Sequence, residues 1–141
     1  MERFIVAQDE MYNIALSEIK NGFKESHWIW YIFPQIYGLG HSSKAKYYEL
    51  KSISEAKEYI NNDILRKRLL EISEAIYLLD DDIDYILLSP DDLKFKSSMT
   101  LFYLIAPEYT IFKKNLDKFF VGELCEHTKD IYLKETMRKE G

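Results

Sequence analysis

Apolar positions recur at helical spacing along most of this chain. From Arg3 to Asn21, Phe4, Ala7, Met11, Ile14, Ala15 and Ile19 form one stripe, widened by Val6 and Leu16. Gln8, Asp9, Asn13 and Glu18 fall on the polar side, and Gly22 stands where a helix-ending glycine would. The same spacing predicts a short helix over Ser43–Leu50. Ser52-Ile53-Ser54-Glu55 has the form of a capping box and opens a helix through Ile60, broken by Asn61 and Asn62. Asp63 is the expected cap of a longer helix to Leu79, with Ile64, Leu65, Leu69, Ile72, Ala75, Ile76 and Leu79 inside and Arg66, Lys67, Glu71 and Glu74 outside. Arg68, four residues after Ile64, is expected to point inward. Asp80 to Asp82 end that helix, and Asp82–Leu88 reads as one or two further turns. Ser89-Pro90-Asp91-Asp92 combines a cap, a first-turn proline and first-turn acids, which starts a helix to about Ile105. Pro107 restarts the chain into a helix through Phe120, and Val121-Gly122 breaks it. Leu124–Met137 is the last helix, and residues 138–141 read as a frayed end. The expected architecture is all-α: one domain of six to eight helices over residues 1–141, with little or no strand.

One stretch stands apart. Ser26–Ser43, SHWIWYIFPQIYGLGHSS, holds both tryptophans and one of the three prolines. Ser26 is the expected N-cap. His27–Phe33 fits either two helical turns or a buried strand; helix is favoured because little else in the chain offers a strand partner. Pro34 stops it, and Gln35–Ser43 is a loop. Gly38 and Gly40 let that loop approach a ligand or another element closely.

Bulk properties narrow the class. The 141 residues are 47% apolar and 30% charged, enough for a real core without disulfides or metals. Aromatics reach 15%, which reads as a dense core or a ringed pocket. A single cysteine, Cys125, fits a reducing compartment. No run reaches the ~20 apolar residues of a membrane span, and the N-terminus lacks the pattern of a signal peptide. The expectation is a cytoplasmic protein that does not use membranes. The net charge of −5 argues against nonspecific nucleic-acid binding but leaves room for a local phosphate site.

Four polar sets are candidates for chemistry, each with a plainer reading beside it. His27 with Gln35 and the Gly38–Gly40 loop suits an acid/base or donor at a pocket lined by Trp28 and Trp30; alternatively His27 bridges helix ends and the indoles pack in the core. Asp92 suits a general base or ribose-hydroxyl acceptor and Lys94 a phosphate or leaving-group contact, with Ser97, Ser98 and Thr100 adding hydroxyls; alternatively these residues form a helix start with an Asp–Lys pair. Ser42 and Ser43 suit an anion or a helix cap. Arg66, Lys67 and Arg68 read as a solvated face. His27, His41 and His127 are scattered and Cys125-x-His127 is too thin for zinc, so no metal site is expected and no cofactor is called for. Cys125 reads as a core thiol or as one lowered in pKa at the start of the last helix.

The chain also resembles a known family. The RFIVAQ start, His-Trp-x-Trp-x-x-Phe-Pro-Gln-x-x-Gly-Leu-Gly, Glu55-Ala56 with Tyr59, Leu65, Arg68-Leu69, Pro90-Asp91-Asp92-x-Lys94 and Ser97-Ser98-Met99-Thr100-Leu101-Phe102 resemble bacterial domain-of-unknown-function family 1810 over about residues 3–133. The resemblance implies a compact, mostly helical cytoplasmic domain and brings no established reaction. Members are sometimes labelled calpastatin, but a calpain inhibitor is expected to be a disordered repeat that folds on its target. In layout the chain is also similar to the NADAR group, which processes ADP-ribose derivatives and removes N-glycosidic groups. That group's C-terminal Trp-Gly motif is absent here, and Glu49 and Glu55 are the candidates for its acidic residue. The likeness implies a nucleotide or ADP-ribose-like ligand, with N-glycosidic hydrolysis as the reaction. A non-catalytic interaction domain with an exposed aromatic patch is the alternative. The two walls of the expected pocket are the Ser26–Ser43 stretch and the Asp91–Thr100 helix start.

Overall fold

A computed structural model describes residues 1–140, with side chains through Met137. The fold is all-α. Nine helices are present among the described residues: α1 (Glu2–Lys20), α2 (Ile29–Ile32), α3 (Ser43–Tyr48), α4 (Ile53–Asn61), α5 (Asp63–Tyr77), α6 (Ile83–Leu87), α7 (Asp91–Ile105), α8 (Ile111–Phe120) and α9 (Glu126–Glu140). The only β feature among these residues is an isolated parallel bridge between Ile36 and Leu50. It hooks the loop after α2 to the segment after α3, through Tyr37 N–H to Leu50 O and Leu50 N–H to Gln35 O. The expected fraying of the last four residues extends to Gly141, which lies outside the described residues; α9 itself continues to Glu140.

Helix α7 is the centre of the fold. Phe95, Met99, Leu101 and Phe102 are fully buried, and so are Ser97, Ser98 and Thr100 between them. A helix covered nearly all round needs neighbours on every side, and α2, α4, α6, α8 and α9 all pack on it. Small hydroxyl side chains let those neighbours approach. The aromatic content is spent largely here. Phe33 meets Phe95 edge-on at 4.9 Å, and Phe4, Tyr59, Phe102 and Phe112 form a connected row of rings.

Several local expectations shift in the structure. Ser26 does not cap α2. Its hydroxyl binds Glu18, and Trp28 occupies the N-cap position of a helix only four residues long. Asn62, not Asp63, caps α5: its Oδ1 accepts from Ile64 N–H and Leu65 N–H, while Asp63 pairs with Arg66. The cap of α7 is Pro90 rather than Ser89, without a side-chain bond, and the Ser89–Pro90 peptide is cis. The capping box at Ser52 forms on one side only. Ser52 Oγ accepts from Glu55 N–H, but Glu55 reaches back to Lys51 N–H and to Arg3.

Ile14 and Ile64 are exposed. Gln8 and Tyr12 turn inward on α1 instead, because α1 packs on α5 through a polar network. Gln8 Nε2 donates to Tyr31 O and to Tyr59 Oη, Tyr12 Oη donates to Glu71, and Arg68 bonds Gln8 and Asp9. Arg68 is thus partly exposed and drawn onto α1 by these bonds, not by the position of Ile64, which faces outward.

Candidate functional site

The aromatic stretch is held from α1. Glu18 is buried and accepts hydrogen bonds from Glu25 N–H, Ser26 N–H, Ser26 Oγ and Trp28 Nε1. Burial opposes its ionisation, but the bonds from Ser26, Trp28 and Glu25 outweigh it and hold the carboxyl below its ordinary value. Trp28 is fully buried with its only donor occupied, so it offers no edge to a ligand.

Trp30 is half-buried, and two ammonium groups lie over its ring: Lys44 at 5.1 Å and Lys94 at 5.3 Å from the centroid. Lys94 also bonds Asp91 Oδ1 at 3.3 Å, and Asp91 Oδ2 pairs with the buried Lys24 at 3.0 Å. The trio Lys24–Asp91–Lys94 thus keeps a net charge of +1. Trp30 positions that charge; its face is covered rather than free for stacking.

Lys94 opens onto a cleft of about 670 Å³. One wall is Gln35, Leu39, Gly40, His41, Ser42 and Ala45. A second is Pro90, Leu93, Lys94, Lys96 and Ser97, and a third is Leu124, Cys125 and Glu126. The glycine loop and the start of α7 therefore face each other, as the pattern of the sequence implied.

The hydroxyls of α7 are already engaged or sealed. Ser97 Oγ meets Thr128 Oγ1 at 3.0 Å. Thr100 Oγ1 donates to Lys96 O and accepts from Cys125 N–H, which fixes the start of α9 beside the cleft. Cys125 Sγ accepts from Thr128 Oγ1 at 3.2 Å.

Each glycine of the loop has a steric reason. At Gly40 an added Cβ would collide with Ala45 Cβ. Gly38 has φ +93°, and a Cβ there would lie 2.9 Å from His127 Nε2, the atom that contacts Tyr37 O at 3.0 Å.

Of the residues singled out from sequence, Gln35, Gly40, Lys94 and Ser97 line the cleft. Ser43 is the exposed first residue of α3, while Ser42 caps that helix and lines the cleft. His27 is exposed on the connector before α2 and does not line it. Asp92, Trp28, Trp30, Gly38, Ser98 and Thr100 also lie outside the lining. Asp92 Oδ1 and Ser98 Oγ are buried without a hydrogen-bond partner among the described residues.

The two candidate acids are otherwise employed. Glu55 binds Arg3, and Glu49 accepts from Gly38 N–H and pairs with Lys51. Sequence reasoning missed Lys96, Leu124 and Glu126. Leu124 lies just before α9 and Glu126 is its first residue, and no local pattern signals a contact so far along the chain. Among the described residues, no group of three His, Cys, Asp or Glu could hold a metal ion, and no helix is long and apolar enough to cross a membrane.

A family model described as "Protein of unknown function (DUF1810)" matches residues 1–132. The chain belongs to this family. A solved member of the same fold is the conserved hypothetical protein Rv1873 from Mycobacterium tuberculosis, determined at 1.38 Å. It is 37% identical, with a TM-score of 0.88 over 90% of this chain and 91% of that one. No curated protein matches the chain. In this member of the family the cleft lies between the glycine loop, α7 and the start of α9.

Proposed function

We propose that the cleft binds a small phosphate-bearing ligand of nucleotide or ADP-ribose type. The observation that carries this reading is the convergence of Lys94, Lys96 and Gln35 on one concave space within a chain of net charge −5. Its volume of about 670 Å³ is in the usual small-molecule range. Leu39, Leu93 and Leu124 supply apolar surface for a ring, and Lys94 supplies charge for phosphate, while Lys96 in the same lining pairs with Glu123 at 3.5 Å. If the ligand is also hydrolysed at an N-glycosidic bond, Glu126 is the carboxylate in the lining, and it takes the acid/base role first considered for Asp92.

The test is thermal denaturation with AMP, ADP-ribose, NAD and ribose 5-phosphate. A ligand at 100 times its Kd adds about 2.7 kcal/mol to stability, and Lys94→Ala removes that gain. A flat panel, or a gain retained in Lys94→Ala, defeats the reading.

The alternative of an interaction surface draws on different residues than the tryptophans. Exposed aromatic surface lies at Tyr47 and at the Phe23–Tyr85 pair, whose rings are 6.0 Å apart. Co-purification of a protein partner that is lost on changing those residues would favour it.

A further inference from the structure

A second cavity, of about 620 Å³, lies between α1 and α3 on residues the cleft does not use. Glu2, Val6 and Glu10 form one wall at four-residue spacing along α1. Tyr47 and Tyr48 form the other, and Tyr31 of α2 closes it. The three rings are mutually inclined. Tyr31 and Tyr48 lie 5.1 Å apart at 54°, and Tyr47 and Tyr48 lie 4.8 Å apart at 82°.

The charges of this groove are unevenly committed. Arg3 is tied to Glu55, Tyr47 O and Glu49 O, and its guanidinium lies over Phe4. The chain's amino group acts on Glu55 as well. Lys44 lies over Trp30. Among the described residues no ion pair reaches Glu2 or Glu10. Burial, and after it Tyr48 and the Glu10 carboxylate, push the Tyr31 phenol up. Burial, Tyr47 and Glu10 do the same at Tyr48 against the opposing Arg3. Glu2 and Glu10 line the groove together with these rings, and its negative charge is carboxylate charge.

We propose that this groove is a site for a small quaternary ammonium compound, with the cationic head against the exposed Tyr47 and half-buried Tyr48 rings and Glu10 as its counter-charge. Tilted aromatic faces favour a weakly hydrated organic cation over a small metal ion, which would have to give up its water for rings. The site is independent of the proposed nucleotide cleft.

The test is a ¹H–¹⁵N titration of the full chain with choline chloride at constant ionic strength. Choline's uncharged isostere 3,3-dimethyl-1-butanol is run in parallel. The expected result is saturable shifts at Ala7, Glu10 and Tyr48, with choline at least about tenfold tighter than the isostere. Tyr47→Ala and Glu10→Gln each weaken choline about two- to fivefold, Tyr47→Phe keeps the affinity, and Lys94→Ala leaves it unchanged. Both altered side chains are exposed, and the same spectra report that the variants remain folded. Shifts that stay linear, equal binding of the isostere, or full affinity in Tyr47→Ala and Glu10→Gln overturn the proposal.

Discussion

Glu18 Oε1 accepts the indole N–H of Trp28 at 2.9 Å, and the same carboxylate takes Ser26 and the Glu25 amide. One buried anion on α1 therefore fixes the entry of the aromatic stretch. Replacing it with Gln leaves buried donors facing an amide that supplies donors of its own. Glu18→Gln is expected to cost about 2–3 kcal/mol near neutral pH.

The pH dependence has a definite sign. The folded-state pKa of Glu18 lies below the ordinary 4.5, so its stabilisation is present above that value. It declines as pH falls below 4.5 and is gone once the lowered folded value is passed. Urea unfolding should show a large gap between wild type and Glu18→Gln near neutral pH and a narrower one in acid below 4.5. An equal gap at both would mean the lost packing, not the anion, matters.

Asp91 stands between Lys24 and Lys94, and the two lysines depend on it differently. Lys24 is buried and Lys94 half-buried. Asp91→Asn is expected to lose about 2–3 kcal/mol, because it leaves a buried ammonium without its counter-charge. Lys94→Met should stay within about 0.5–1 kcal/mol, since a partly exposed pair contributes little. Denaturant midpoints at unchanged slope decide this. Equal losses in the two variants would refute the asymmetry.

The start of α5 separates neighbouring residues. Asn62 Oδ1 accepts from Ile64 and Leu65 amides at 3.0 and 3.1 Å, whereas Asp63 makes an exposed i,i+3 pair with Arg66. Asn62→Ala is expected to cost about 1 kcal/mol, the usual loss of a cap. Asp63→Ala should cost about 0.5 kcal/mol or less. Reversal of that order in thermal or urea unfolding would return the cap to Asp63.

These contrasts show which parts of the molecule are legible locally. The stripes over Phe4–Ile19 and Leu65–Ile76 predict α1 and α5, because burial on one face imposes the helical period. The same rule misplaces Ile14 and Ile64, since apolarity alone does not say which helix faces which. Gln8 and Glu18 read as polar surface and Tyr12 stands outside the apolar stripe, yet all three are buried through bonds to Tyr31, Tyr59, Glu71 and Trp28. Such bonds join residues up to 59 positions apart and leave no periodic trace. At the site, Lys94 and the glycine loop were readable as facing walls. Leu124 and Glu126 were not, because the bond from Cys125 N–H to Thr100 that brings them there is tertiary.

The contact between Gly40 and Ala45 permits the sharpest test of the cleft's shape. A methyl at position 40 would collide with Ala45 Cβ, which belongs to α3 on the same wall. Gly40→Ala is expected to cost about 1–3 kcal/mol through overpacking and to displace α3 relative to α7. Ala45→Gly alone should cost about 1 kcal/mol from helix propensity. The double variant removes the colliding atom, so its loss should be smaller than the sum by about 0.5–3 kcal/mol. Ligand binding follows the same logic. Any affinity for the cleft lost in Gly40→Ala should return in Gly40→Ala/Ala45→Gly, because the wall regains its position while Lys94 and Lys96 are untouched. Strict additivity of the two stability losses would show that position 40 is restricted by something other than Ala45.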